Sequence, residues 1–162
     1  MTESDRLNSK AYIYFSGGSQ LEQKGQILQV GDSNAFGIWQ SGSKCDSLSG
    51  TREPSALPPV EHLEDFDMLM GIMCRSIKME FQKDVHYGNV KAKRFVMSPK
   101  TFEKNAPENQ CYSGSGSHSD LPDGIFSVEK CVQGVPMAVS LPHFLHADEW
   151  YVFIITLDCD IF

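Results

Sequence analysis

Asp123-Gly124-Ile125-Phe126-Ser127-Val128-Glu129-Lys130-Cys131 leads into Gly134-Val135-Pro136 and then Met137-Ala138-Val139-Ser140-Leu141-Pro142-His143-Phe144. This stretch, residues 123–147, decides the fold. Asp-Gly is a turn signal, because glycine accepts the positive φ that a tight turn needs. Residues 137–141 form a short apolar run that Pro142 ends, since proline cannot donate to a strand ladder. A strand pair around Ile125 and residues 137–141 is therefore predicted. Cys131 stands just upstream, on a segment able to reach the rest of the chain. No catalytic constellation accompanies these residues, so the stretch reads as a β scaffold fixed by cross-links.

Working outward, the pattern stays mostly β. Residues 11–15 are aromatic-rich and suit a strand. Residues 27–30 predict a second strand, Gly31-Asp32-Ser33-Asn34 a turn, and residues 35–39 a third strand, the pair forming a hairpin. Residues 40–59 are rich in Ser, Gly and Pro and predict irregular, exposed chain. Acidic residues after Pro58-Pro59 suit a helix start, so a short helix is expected over residues 60–70. Ile77, Met79 and Phe81 alternate with Lys78, Glu80 and Gln82, so a strand is expected over residues 74–82. A turn around Gly88-Asn89 leads to a further strand over residues 91–97. Residues 113–117, Ser-Gly-Ser-Gly-Ser, read as a flexible loop. The expected class is mainly β with short helices (α+β), arranged as a barrel or sandwich.

The totals narrow the partners. A net charge of −7 argues against nucleic acid, whose phosphates demand clustered cations. The local cluster Lys91, Lys93 and Arg94 reads most simply as a solvated strand face. Residues 1–10 lack the apolar core of a secretory signal. The longest apolar run, residues 150–157, is shorter than the roughly 20 residues of a membrane-crossing helix.

Five cysteines are present: Cys45, Cys74, Cys111, Cys131 and Cys159. None forms the close pair from which zinc sites usually draw two ligands. Wide spacing favours disulfides, and four cysteines allow three pairings that spacing does not separate. Reduced, buried thiols in a cytosolic protein are the alternative.

Other candidate chemistry is thin. Gly31-Asp32-Ser33-Asn34 resembles the nucleophile block of a GDS-type esterase, with Ser33 as the attacking hydroxyl. The Asp-x-x-His that such enzymes carry late in the chain is missing, and a hairpin turn explains the block. His143 and His146 would share a face on a helix, but Pro142 opposes a helix there. His86 and His118 read as loop residues. No metal or other cofactor is expected. The apolar residues Ile77, Met79, Phe81, Phe95, Met97, Val139 and Leu141 suit either a plain core or the lining of a cavity.

Several blocks together resemble the ectodomain of the class B scavenger receptors. They are Trp39 with Cys45-Asp46-Ser47-Leu48-Ser49-Gly50-Thr51, Leu57-Pro58-Pro59, Cys74-Arg75-Ser76-Ile77, and Arg94-Phe95-Val96. Gly124-Ile125-Phe126-Ser127-Val128-Glu129-Lys130-Cys131 and Leu141-Pro142-His143-Phe144-Leu145-His146-Ala147 complete the set. They follow the family's order and cover about a third of a family ectodomain, residues 13–147, between an irregular segment at 1–12 and a divergent tail at 148–162. The resemblance implies an antiparallel β-barrel with a lipid tunnel, held between two membrane spans that this sequence lacks. It implies disulfides joining Cys45 to Cys111 and Cys74 to Cys131. The family's third bridge would fall near Ser113 and Ser117, where no cysteine stands, and Cys159 matches nothing. Family ectodomains are usually glycosylated, yet no Asn-x-Ser/Thr acceptor occurs here. The implied ligands are lipids, lipoproteins or carotenoids. The implied setting is the outer or lumenal side of the plasma or lysosomal membrane. A truncated product without a function of its own is the further alternative, because open strand edges invite aggregation.

Overall fold

The computed structural model describes residues 11–51, 57–59, 63–112 and 121–151. Its regular structure is antiparallel β with short 3-10 turns. Strands β1 (Tyr12–Tyr14) and β2 (Ile27–Val30) make a two-stranded sheet. Strands β3 (Phe66–Met70), β4 (Arg75–Tyr87) and β5 (Val90–Met97) make a three-stranded sheet in that order. Strands β6 (Ile125–Ser127) and β7 (Ala138–Ser140) pair as a third sheet. Among the described residues the sheets do not close into a barrel.

Two sequence expectations fail here for identifiable reasons. Residues 60–62 of the expected helix lie outside the described residues, but Phe66–Met70 is a strand. Phe66 and Met68 alternate with Asp67, β4 pairs along one edge of the strand, and Thr51 bonds Asp67 and Leu69 along the other. A helix would have left the β4 edge open. Residues 35–39 are not a strand either; Ala35 makes one isolated bridge to Ser47. The chain there curls around the Asp46 carboxylate, described below. The loop 113–117, with Ser113 and Ser117, lies outside the described residues, as do His118, Cys159 and residues 152–157 of the apolar tail.

The β4–β5 hairpin turns at Gly88-Asn89, with Tyr87 opposite Val90. Gly88 holds φ 58 at the first central position, where a type II′ turn needs glycine. The ladder slips between Phe81 and Lys83, a β-bulge that places one extra residue on β4. An extra residue reverses which face the following side chains take.

The core gathers loops rather than strand centres. Phe36, Val30, Ile77 and Val128 are fully buried, together with Cys45, Cys74 and Cys131. Disulfides join Cys45 to Cys111 and Cys74 to Cys131, each with Cα atoms 5.8 Å apart. The two closed loops interlock in sequence, so the β3–β4 turn, the 102–112 segment and the 128–131 turn are held as one knot.

The opening stretch closes on itself at this knot. Gly124 has φ +84, and a Cβ there would collide with Ala147. The Gly124 amide donates to the Phe102 carbonyl at 3.1 Å, and the Asp148 amide to the Asp123 carbonyl at 3.2 Å. The Asp123 side chain accepts from the Lys104 amide at 2.8 Å.

Candidate functional site

Three groups of side chains are built with enough specificity to weigh as sites. The first surrounds Asp46. Its buried Oδ1 accepts the amides of Gly37, Ile38 and Trp39 at 2.8, 3.1 and 3.1 Å. Three converging N–H donors are what a carboxylate needs to be buried at low cost. The Trp39 indole in turn donates to the Cys74 carbonyl at 2.6 Å, across the knot. That contact helps hold Cys74 at φ 46, a left-handed conformation that non-glycine residues enter at a cost. Gly50, at φ +82, lies so close to the Asp67 carbonyl that a Cβ would collide with it. Its own carbonyl accepts from the Ile27 amide at 2.7 Å, while Thr51 bonds β3 on both sides. The Cys45–Thr51 block is thus a structural latch.

The second group surrounds Arg75, which is 4% exposed. Its guanidinium donates to the Thr101 carbonyl at 2.9 Å and to Asn109 Oδ1 at 2.8 Å. It stacks 4.1 Å from the Tyr112 ring and 4.8 Å from the Phe126 ring. Burial pushes the arginine pKa down from its usual value, which nearby Tyr112 opposes. Burial likewise pushes the Tyr112 phenol up. Neutral oxygens and ring faces therefore carry this charge. The role is packing: Arg75 joins β4 to the segment that Cys111 anchors. No local sequence pattern around Arg75 announces this role.

The third group is the face of the three-stranded sheet. Cross-strand pairing aligns Phe66, Met79 and Met97 in one row and Phe81 with Phe95 in the next. The Phe66 and Phe95 rings meet edge-on at 5.1 Å, and Phe81 and Phe95 at 5.9 Å. Phe81 stays 39% exposed. Lys93 folds over this cluster, its Nζ 5.3 Å from the Phe81 ring and 3.0 Å from the Leu63 carbonyl. The expected apolar set divides accordingly. Ile77 is core, and Met79, Met97, Val139 and Leu141 pack against the core. Phe81 and Phe95 join Phe66 in the half-open aromatic face. The helix expected over residues 60–70 hides Phe66 from the apolar set, although its alternation with Asp67 signals the strand it forms.

A cleft of about 510 Å³ lies beside β3. Its walls include Glu22, Glu64, Asp65, Asp67, Lys24 and Lys78. A charged lining does not solvate an acyl chain. Within it, Lys78 pairs with Asp65 at 3.1 Å. The Phe81 amide and Lys78 hold the Asp65 carboxyl below its usual range.

The remaining candidates are placed separately: His86, expected in a loop, lies in β4 opposite Lys91. The Ser33 hydroxyl donates to the Ala35 carbonyl at 2.8 Å and accepts from the Ala35 amide at 3.1 Å, a local turn. His143 and His146 both have positive φ, 55 and 64, so they do not share a helical face. Among the described residues no three His, Cys, Asp or Glu side chains gather as a metal site would require. No helix among them is long and apolar enough to cross a membrane.

Interlocked disulfides, small antiparallel sheets and a half-open aromatic face define a cross-linked β scaffold. Sequence comparison carries this further. The CD36 family profile matches residues 1–156, and the chain belongs to that family, the class B scavenger receptors. It is 31% identical over 151 residues to sensory neuron membrane protein 1 of Antheraea polyphemus, covering 91% of this chain and 27% of that protein. It is 32% identical over 125 residues to the Bombyx mori protein of the same name, covering 76% and 23%. With the Helicoverpa assulta protein the identity is 32% over 148 residues, covering 91% and 27%. The chain thus spans about a quarter of the length of these relatives.

Proposed function

We propose that this chain is a piece of a CD36-family ectodomain that binds and transfers lipids, lipoproteins or carotenoids at a membrane. In this reading residues 13–147 form part of an antiparallel β-barrel, and the three-stranded sheet supplies one wall of its lipid tunnel. The observation that carries it is the row of Phe66, Met79 and Met97 continued by Phe81 and Phe95, apolar across three strands and incompletely covered. An acyl chain or polyene laid on that face would lose water contact without any bond being made or broken, so no catalytic residue or cofactor is invoked. The name of those relatives, sensory neuron membrane protein 1, supports a membrane-held parent. We place the parent at the plasma or lysosomal membrane, with this piece on the outer or lumenal side.

The test is photolabelling of the full-length parent with a diazirine-bearing palmitate. Labels on the β4 peptide holding Phe81 and the β5 peptide holding Phe95 are expected. Phe81→Glu should reduce that labelling at least severalfold. Labels confined to other segments, or none at any palmitate concentration, would remove the sheet from the tunnel.

A further inference from the structure

The turn that opens residues 123–147 carries chemistry that a lipid-binding scaffold does not use. Asp123-Gly124 is fixed by the fold at both positions. Gly124 has φ +84, and a Cβ there would collide with Ala147, so glycine is required. The Asp123 carboxylate is required too, because its Oδ1 accepts the Lys104 amide at 2.8 Å. Together they make a labile link: the glycine amide has no Cβ beside it to hinder ring closure onto the preceding carboxyl. The chain therefore keeps a reactive dipeptide at the point where its last sheet begins.

Residues 102–104 shield this link. The Gly124 amide donates to the Phe102 carbonyl at 3.1 Å, while the Lys104 amide holds the Asp123 carboxylate. The nitrogen that would attack and the carboxyl it would attack are thus tied to different groups, and neither turns toward the other. Thr101 and Phe102 are buried, so the segment does not lift without breaking core contacts. Asn109 holds it from behind, donating to the Lys100 and Glu103 carbonyls at 2.7 Å each. Asn109 in turn accepts from Arg75 at 2.8 Å. The shield is made by tertiary contacts and not by the turn itself.

We propose that Asp123-Gly124 is a site of covalent isomerisation, held silent by residues 102–104 and modified whenever that segment lifts. The step is intramolecular. The Gly124 nitrogen attacks Cγ of the Asp123 carboxylic acid. An N–Cγ bond forms, the acid's hydroxyl leaves with the nitrogen's proton as water, and a five-membered succinimide results. Water then adds back at one of the two ring carbonyls. Breaking the N–Cγ bond restores aspartate. Breaking the bond from nitrogen to the main-chain carbonyl carbon leaves isoaspartate, with the chain running through Cγ. That product carries one more methylene in its backbone. It displaces Gly124 from the Phe102 carbonyl and from Ala147, so a modified turn cannot re-form the shield. The rate follows the fraction of time the segment is lifted, as for any group masked by local structure. The site stands apart from the tunnel and needs no cargo.

The test is prolonged incubation of the full chain at neutral pH, folded with its disulfides intact, beside the same chain reduced, alkylated and unfolded in guanidinium chloride. Isoaspartate at position 123 is read as resistance to an aspartate-directed protease and as methyl uptake with protein isoaspartyl methyltransferase. The unfolded chain should accumulate it about tenfold faster or more. Lys104→Pro removes the amide that holds the Asp123 carboxylate. Glu103, at φ −72 and ψ 115, already has the extended backbone that a following proline needs. That variant, folded and oxidised, should isomerise severalfold faster than wild type. Protection of the Leu69 amide, which donates to the Thr51 carbonyl at 2.8 Å, verifies that it keeps its sheet. Equal rates in folded and unfolded wild type, or a folded Lys104→Pro chain no faster than wild type, would overturn the proposal. Isomerisation of the unfolded chain at Asp32 or Asp46 but not at Asp123 would overturn it as well.

Discussion

Asp46 is the residue on which the most local order depends. Three backbone amides converge on one oxygen, and that convergence replaces the expected third strand with a curled loop. Asp46→Ala strands those donors, of which the Trp39 amide is buried. Removing such a charged acceptor should cost about 3 kcal/mol, while Asp46→Asn, which keeps an acceptor, should cost less than half of that. Urea unfolding of the oxidised chain measures both, and equal midpoints for wild type and Asp46→Ala would refute the role. Gly50 makes a second prediction at this scale. Its positive φ and its contact with the Asp67 carbonyl leave no room for a side chain. Gly50→Ala should destabilise by more than about 1 kcal/mol, read from the same unfolding curves.

Among the elements, the β4–β5 hairpin carries the most information. Asp65 clips it: its Oδ1 accepts the Phe81 amide at 3.0 Å, beside the bulge, and its other oxygen pairs with Lys78. Hydrogen bonding to the Phe81 amide, then Lys78, lowers the Asp65 pKa in the fold. A lowered folded pKa means that the ionised carboxylate is favoured by folding. The clip is therefore intact above the ordinary carboxylate range and is lost as pH falls through the lowered folded value. Protection of the Phe81 amide against exchange should drop over that acidic interval. Asp65→Asn should remove most of the drop, and a pH-independent Phe81 amide in wild type would contradict the assignment. The bulge beside this clip keeps Phe81 with Phe95 while turning Val85 and Tyr87 to the opposite face, so one hairpin presents an aromatic wall and a basic tip.

For the whole molecule, interlocked bridges take the place of a large continuous sheet. Cys45 and Cys111 are separated by 66 residues, Cys74 and Cys131 by 57. Chain-entropy reasoning gives about 4 kcal/mol for closing either loop, and the two are not additive because the loops overlap. Reduction should thus lower the urea midpoint sharply, and Trp39 emission should follow it, since its indole is bonded to Cys74. An unchanged midpoint under reductant would mean that the knot is held by packing alone. The photolabelling expected at Phe81 and Phe95 belongs to this scale too, because a tunnel requires more of the parent than one sheet.

By itself the sequence determined the mostly β class, the places of β2 and of the β4–β5 and β6–β7 pairs, and family membership. Those features rest on short-range signals: alternation, Asp-Gly and Gly-Asn turns, proline stops and blocks of matching residues. The tertiary structure decided the rest. Phe66–Met70 became a strand because β4 offers a partner edge that residues 60–70 cannot reveal. Residues 35–39 curled because the Asp46 carboxylate, seven to nine residues further on, gathers the amides of Gly37, Ile38 and Trp39. Arg75 is buried because Thr101, Asn109, Tyr112 and Phe126 arrive from far along the chain to receive its charge. Local patterning reports what a segment prefers, whereas partners brought from a distance decide which of its unsatisfied groups is met.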